Sequence, residues 1–173
     1  MRTFISIDFP KEILIEIEKI QNKLPFFIGK KTELENLHLT LKFLGEIDEK
    51  KTGLIKDKLR EIKFKKFRAE IDEIGVFSKN FIRIIWLHLT NCEELQKEID
   101  NKLKDFFQPE KRFMSHITIA RVKKIEDKKR FLDELKKIKI KKMSFDIGCF
   151  KLKKSILTSD KPFYEALENY SLN

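Results

Sequence analysis

An α+β fold of two pseudo-symmetric lobes is predicted by three observations. Strand-like and helix-like segments alternate along the whole chain, with no linker or low-complexity stretch between them. The order strand, helix, strand, helix, strand occurs in residues 2–77 and again in residues 81–150. The third element of each copy carries a histidine, in "HLTLKF" and in "HITIAR", and His38 and His116 stand 78 positions apart (116 less 38). A repeat of this kind sets the architecture before any local feature does, and two copies make lobes, not a solenoid. Each lobe is expected to be a mostly antiparallel sheet with helices on its outer face, around a central groove that holds both histidine strands. The chain reads as a single bilobal domain over 1–173, with strands in 150–172 completing the sheets.

The elements follow in order. Arg2 to Asp8 alternates apolar and polar residues and is stopped by Pro10, which reads as a short strand. Ile13, Ile17, Ile20 and Leu24 recur at helical spacing over 11–23, and Pro25 ends that helix. A short irregular stretch with Gly29, Lys30 and Lys31 comes next. Asn36 to Gly45 alternates strictly, a strand closed by glycine. Residues 48–64 read as a second helix with Asp48 as its N-cap. Residues 67–77 alternate again, with Ile71 and Ile74 slightly out of phase. Phe81 to Leu89 is apolar and β-branched, the pattern of a buried strand. Residues 92–107 read as a third helix capped by Asn91, with Glu94 three residues on. Ser115 to Val122 is a strand, 126–138 a fourth helix, 143–158 a strand pair, and Phe163 to Leu172 a final element of undetermined type.

Composition narrows the function classes. The chain has 173 residues, 41% of them hydrophobic, with 16 Phe, enough apolar side chain for a core. Lys and Arg outnumber Asp and Glu by 38 to 28, a formal net charge of +10. Such a surplus points to a polyanionic partner or to a lysine-rich compositional bias, and the sequence alone allows both. No apolar run reaches the ~20 residues of a membrane span, and the N-terminus lacks the apolar core of a signal peptide. Cys92 and Cys149 form no C-x-x-C pair and are expected to be free thiols in a reducing cytoplasm. No phosphate-loop glycine motif is present, and no acidic cluster has metal-ligand spacing, so neither cofactor nor metal is expected.

The three histidines all stand in H-x-T: His38-Leu39-Thr40, His88-Leu89-Thr90 and His116-Ile117-Thr118. On a strand, residues i and i+2 share a face, so imidazole and hydroxyl point into one space about 7 Å apart. His88 lies in the first strand of its repeat, where the other copy has no histidine. Thr90 and Asn91 precede a helix and read as capping residues, which leaves His88 a structural role. His38 and His116 occupy matching places. Two histidines related by a pseudo-two-fold axis can stand on opposite sides of one phosphate, one as base and one as acid. Thr40 and Thr118 would donate hydrogen bonds to the non-bridging oxygens. Lys42 shares the His38 and Thr40 face by alternation and could reach a phosphate, or be a solvated strand lysine. Arg121 falls on the opposite face from His116 and reaches the site only through a bulge or by lying at the strand's end. Phe43, Trp86, Phe113 and Tyr164 are candidates to stack on bases, against the larger chance that each is core.

"MRTFISIDFP", "NLHLTLKFLGEI" and "FMSHITIAR" together resemble the two-histidine phosphoesterase superfamily, and within it the RNA 2′,3′-cyclic phosphodiesterases, also called 2′-5′ RNA ligases. The likeness runs the length of the chain and includes "IGVF…FIRIIWLHL" and "FKLKKSILTSDKPFYEAL". It implies that His38 is the proton donor, that His116 is the proton acceptor, and that Thr40 and Thr118 contact the phosphate. It favours an RNA-phosphate role for Arg121, where alternation favours a structural salt bridge. Ser115 departs from the proline the family often carries there. The implied activity is metal-independent hydrolysis of an RNA 2′,3′-cyclic phosphate end to a 2′-phosphomonoester, with reverse 2′-5′ ligation possible. The implied partner is such an RNA end, tRNA halves included, bound by a cytoplasmic monomer. Two rival readings remain at this point: a phosphodiesterase acting on a 2′-5′ oligonucleotide or small cyclic nucleotide, and a non-catalytic RNA-binding relative.

Overall fold

A computed structural model describes residues 1–159 and 161–173 of the chain. Its described residues form nine strands and four α-helices: β1 (Arg2–Ile7), α1 (Lys11–Gln21), β2 (Ile28–Lys31), β3 (Leu39–Glu46), α2 (Glu49–Arg60), β4 (Phe67–Val76), β5 (Ile84–Leu89), α3 (Glu93–Leu103), β6 (His116–Lys124), α4 (Lys128–Lys136), β7 (Met143–Ile147), β8 (Cys149–Leu157) and β9 (Pro162–Ser171). A 3-10 turn, Leu34–Asn36, leads into β3. None of the helices is long and apolar enough to cross a membrane.

All strands join one sheet in the order β7-β4-β5-β6-β3-β1-β8-β9, with β2 added to β6, and every pairing is antiparallel. Where the repeat predicts two sheets, the structure has one sheet with a narrow waist: β3 and β6 pair only at Leu39 and Ile117. The repeats also exchange strands. The last strand of the first repeat, β4, lies between β5 and β7 of the second. Its own lobe is completed by β8 and β9, with β8 against β1. Helices cross over as well, α1 packing toward β6 and α3 toward β3. Their buried stripes, Ile13, Ile17 and Ile20 in α1 and Leu95, Ile99 and Leu103 in α3, meet the core faces of the strands.

Four sequence expectations change. The irregular stretch around Gly29 is the edge strand β2, whose four residues are all exposed and so carry no alternation. The segments within 143–158 are strands but not partners of one another. They part at Gly148, β7 going to β4 and β8 to β1 and β9. Asn91 is not the cap of α3. It sits at φ 65° with its amide on the Arg68 carbonyl, and Cys92 takes the N-cap position. Thr90 is likewise spent on β4, where its hydroxyl accepts from the Glu70 amide. Asp48 does cap α2, accepting from the Lys51 amide at 2.7 Å, and β4 carries the register shift at Ile71 that the phase slip suggests. Both cysteines are free, Cys92 buried with its thiol pushed up to about 12 by that burial.

Candidate active site

β3 and β6, side by side at the waist, each begin at an H-x-T motif. Along both strands alternation holds for three residues: Leu39 and Ile117 turn into the core, while His38, Thr40, His116 and Thr118 face a cleft of about 710 Å³. Each strand then carries a bulge at the same place. On β3, Thr40 pairs with Ser6 and Lys42 with Ile5, leaving Leu41 extra. On β6, Thr118 pairs with Trp86 and Ala120 with Ile85, leaving Ile119 extra. A bulge puts two consecutive residues on one face and shifts everything after it. Leu41 and Lys42 therefore both turn inward, as do Ile119 and Ala120, and Phe43 and Arg121 emerge into the cleft.

This overturns the expectation for Lys42. Its side chain is buried, donating to Asp100 Oδ1 of α3 at 2.5 Å and to the Gln108 carbonyl at 2.9 Å. Asp100 is held further by Gln96 Nε2 and the Glu110 amide. Burial pulls its carboxyl up, but the three donors outweigh this and hold it below the usual carboxylate range. Lys42 thus anchors α3 under the β3 bulge. The β6 bulge has its own anchor in α1, where Gln21 Nε2 donates to the Ile119 and Thr32 carbonyls at 2.9 Å. Arg121 reaches the cleft by the bulge route, and no carboxylate pairs with it among the described residues.

The two imidazoles are tethered identically. His38 Nδ1 bonds the Asn36 carbonyl at 2.7 Å, and His116 Nδ1 bonds the Met114 carbonyl at 2.8 Å. A carbonyl can only accept, so each Nδ1 carries a hydrogen and each Nε2 is the nitrogen left for chemistry. Their packing differs. His38 lies 5.0 Å from the Phe4 ring and 5.1 Å from Tyr164, edge to face with the latter. Among the aromatic rings of the described residues, His116 meets Phe77 alone, edge to face at 4.9 Å. Burial drives the His38 pKa down to about 4, the carbonyl of Asn36 opposing this, with Lys153 and Arg121 lowering it and Asp8 raising it. His88 pairs across the ladder with His116, and its Nδ1 is bonded to Asp72 Oδ1 at 2.7 Å.

Of the stacking candidates, Phe43 and Tyr164 line the cleft. Trp86 is buried over Gly75, and Phe113 lies by a shallow depression beside α3. Phe77 escapes sequence reasoning because its neighbour His116 is on a strand β4 does not touch. Its one sequence sign is an aromatic directly after a phase-slipped strand. Arg2, Lys30 and Lys161 add positive charge to the rim. Among the described residues no group of three or more His, Cys, Asp or Glu could hold a metal ion.

The pattern that describes LigT-like phosphoesterases matches residues 7–86 and 89–164. A protein of Methanocaldococcus jannaschii named RNA 2′,3′-cyclic phosphodiesterase is 39% identical over 176 residues, spanning 98% of this chain and 100% of its own. One of the same name from Archaeoglobus fulgidus is 32% identical over 174 residues, 96% of this chain and 98% of its own. The crystal structure of the Thermus thermophilus protein TT0787 superposes with a TM-score of 0.84 at 24% identity, over 99% of this chain and 98% of that one, which establishes the fold.

Proposed function

The chain belongs to the LigT-like phosphoesterase family, and from that premise we propose that it hydrolyses the 2′,3′-cyclic phosphate at an RNA end to a 2′-phosphomonoester. The observation that carries this reading is the matched pair of H-x-T strands facing one cleft, with neither Nε2 bonded among the described residues. Water attacks phosphorus opposite the 3′ oxygen while His116 Nε2 takes its proton. The P–O3′ bond breaks, and His38 Nε2–H gives its proton to the departing 3′ oxygen. Thr40 and Thr118 donate to the non-bridging oxygens. Phe43 and Tyr164 offer aromatic faces to the terminal base.

His38 must arrive protonated, and its burial beside the cleft opposes that. The phosphodiester anion works against that burial, since a negative charge beside the ring favours imidazolium. Substrate binding therefore favours loading of the acid. With a 5′-hydroxyl in place of water, the same steps in the same direction form a P–O5′ bond, break P–O3′ and join two RNA ends through a 2′-5′ linkage. We take RNA ends, tRNA halves included, as the substrate class of a monomer working in a reducing cytoplasm, a setting that suits two free thiols.

The test is product analysis on RNA with a defined 2′,3′-cyclic end. A 2′-phosphate is expected, in EDTA as in its absence. His38→Ala and His116→Ala should each lose about 10²–10⁴ in kcat, and His88→Ala should stay near wild type. A 3′-phosphate product, or an active His116→Ala variant, would overturn the assignment.

A further inference from the structure

The two histidine tethers match on the ring side and differ behind it. His38 is held by the Asn36 carbonyl and His116 by the Met114 carbonyl, each two residues back along the chain. Each ring also meets an aromatic edge-on from a segment distant in sequence, Tyr164 at 5.1 Å and Phe77 at 4.9 Å. Met114 carries a thioether, which has no hydrogen to donate. Asn36 carries an amide, and its Nδ2 donates to the Pro162 carbonyl at 3.0 Å, at the start of β9 and two residues before Tyr164. Asn36 is only 7% exposed, and its own N–H donates to the Glu33 carbonyl at 2.9 Å within the 3-10 turn. One residue earlier, Glu35 pairs with Lys161, the neighbour of Pro162. Residues 35–38 and 161–164 are thus laced together by an ion pair, a hydrogen bond and a ring contact. Asn36 is the joint of that lacing: its carbonyl holds the His38 ring, and its amide holds the strand that brings Tyr164 against the same ring.

We propose that Asn36 is the positioning residue of the acid: its side chain, bonded to Pro162, keeps His38 in the Nδ1–H tautomer with Nε2 aimed into the cleft. Which ring nitrogen is left for chemistry is set by the bond the other one makes. The Asn36 carbonyl supplies that bond only while the end of the 3-10 turn stays in place, and the Nδ2 bond to Pro162 pins it there. The two halves of the reaction differ in how much error they tolerate. The base takes its proton from water, which can shift to meet the ring. The acid must deliver its proton to O3′, an atom fixed in the bound substrate, where a misplacement of about 1 Å costs up to ~10² in rate. The lock stands on the acid side. This rests on His38's being the acid of the cyclic phosphodiesterase reaction.

The experiment is a double-mutant cycle of Asn36→Ala and His38→Ala on adenosine 2′,3′-cyclic phosphate. Asn36→Ala alone should lower kcat by about 10–10² while KM moves by less than about twofold. In the His38→Ala background the same change should cost nothing further, because Asn36 acts only through that ring. Long-range proton–nitrogen NMR gives a second readout that needs no turnover. At pH 7 wild type should show the hydrogen of His38 on Nδ1, and Asn36→Ala should move it toward Nε2 while His116 stays as it was. Asn36→Ser, whose hydroxyl falls one atom short of Pro162, should behave the same way and serves where Asn36→Ala loses the fold. A wild-type kcat in Asn36→Ala, a loss that persists in the His38→Ala background, or a His38 tautomer unmoved by either variant would overturn the positioning role and leave the reaction intact. Absence of turnover by wild type would instead overturn the reading of the reaction, and the tautomer would still decide whether Asn36 sets the ring.

Discussion

His38 and His116 present the same atom to the cleft from different surroundings. Phe4 and Tyr164 enclose His38 on two sides, and Lys153 stands near it, itself paired with Asp8. Its pKa falls from 6.5 to about 4. A histidine depressed in this way binds fewer protons folded than unfolded, so unfolding takes up protons and stability rises with pH between those two values. Acidifying across that window should remove about 3 kcal/mol of stability in the absence of ligand. Urea unfolding at pH 7 and at pH 4 should show this, and His38→Ala should flatten the dependence. In an NMR titration the His38 ring should titrate near 4 alone and move upward when 2′-AMP is bound. An unliganded titration near 6.5 would mean that burial does not control the ring.

At the scale of elements, the bulges in β3 and β6 decide which residues face the cleft, and the helices hold the bulges. The buried Lys42–Asp100 pair is the clearest case. Lys42→Met leaves Asp100 buried without its cation and should destabilise the protein by about 3–5 kcal/mol. Lys42→Met with Asp100→Leu should recover most of that, measured by urea unfolding. If Lys42 were instead a phosphate ligand, the single variant would raise KM with little loss of stability. The H-x-T pairs were legible in the sequence because period-two alternation from His38 to Thr40, and from His116 to Thr118, survives folding unbroken. The helices were legible because their apolar stripes are local. Lys42, Phe43 and Arg121 were not, because a bulge belongs to a pair of strands: Leu41 is extra only relative to Ser6 and Ile5 of β1. β2 was hidden for a related reason, since Ile28–Lys31 buries nothing and exists through its bonds to β6.

In the whole molecule the two halves read from the sequence exchange strands. β4 leaves the first repeat for the second lobe, and β8 and β9 fill the place it would have taken. A chain cut in the loop between β4 and β5 should therefore yield two fragments, 1–79 and 80–173, that are each largely unfolded. Mixed, they should regain native circular dichroism and turnover. A folded fragment 1–79 on its own would contradict the exchange. The pairing of Thr3 with Lys154 has a further consequence for how the protein is made. On the ribosome, β1 emerges long before β8, and one of its two edges stays open until β8 has followed. Nothing local can close that edge. Folding of the first lobe must then wait for β8, so the nascent chain carries an exposed β-edge from the appearance of β1 until β8 has emerged.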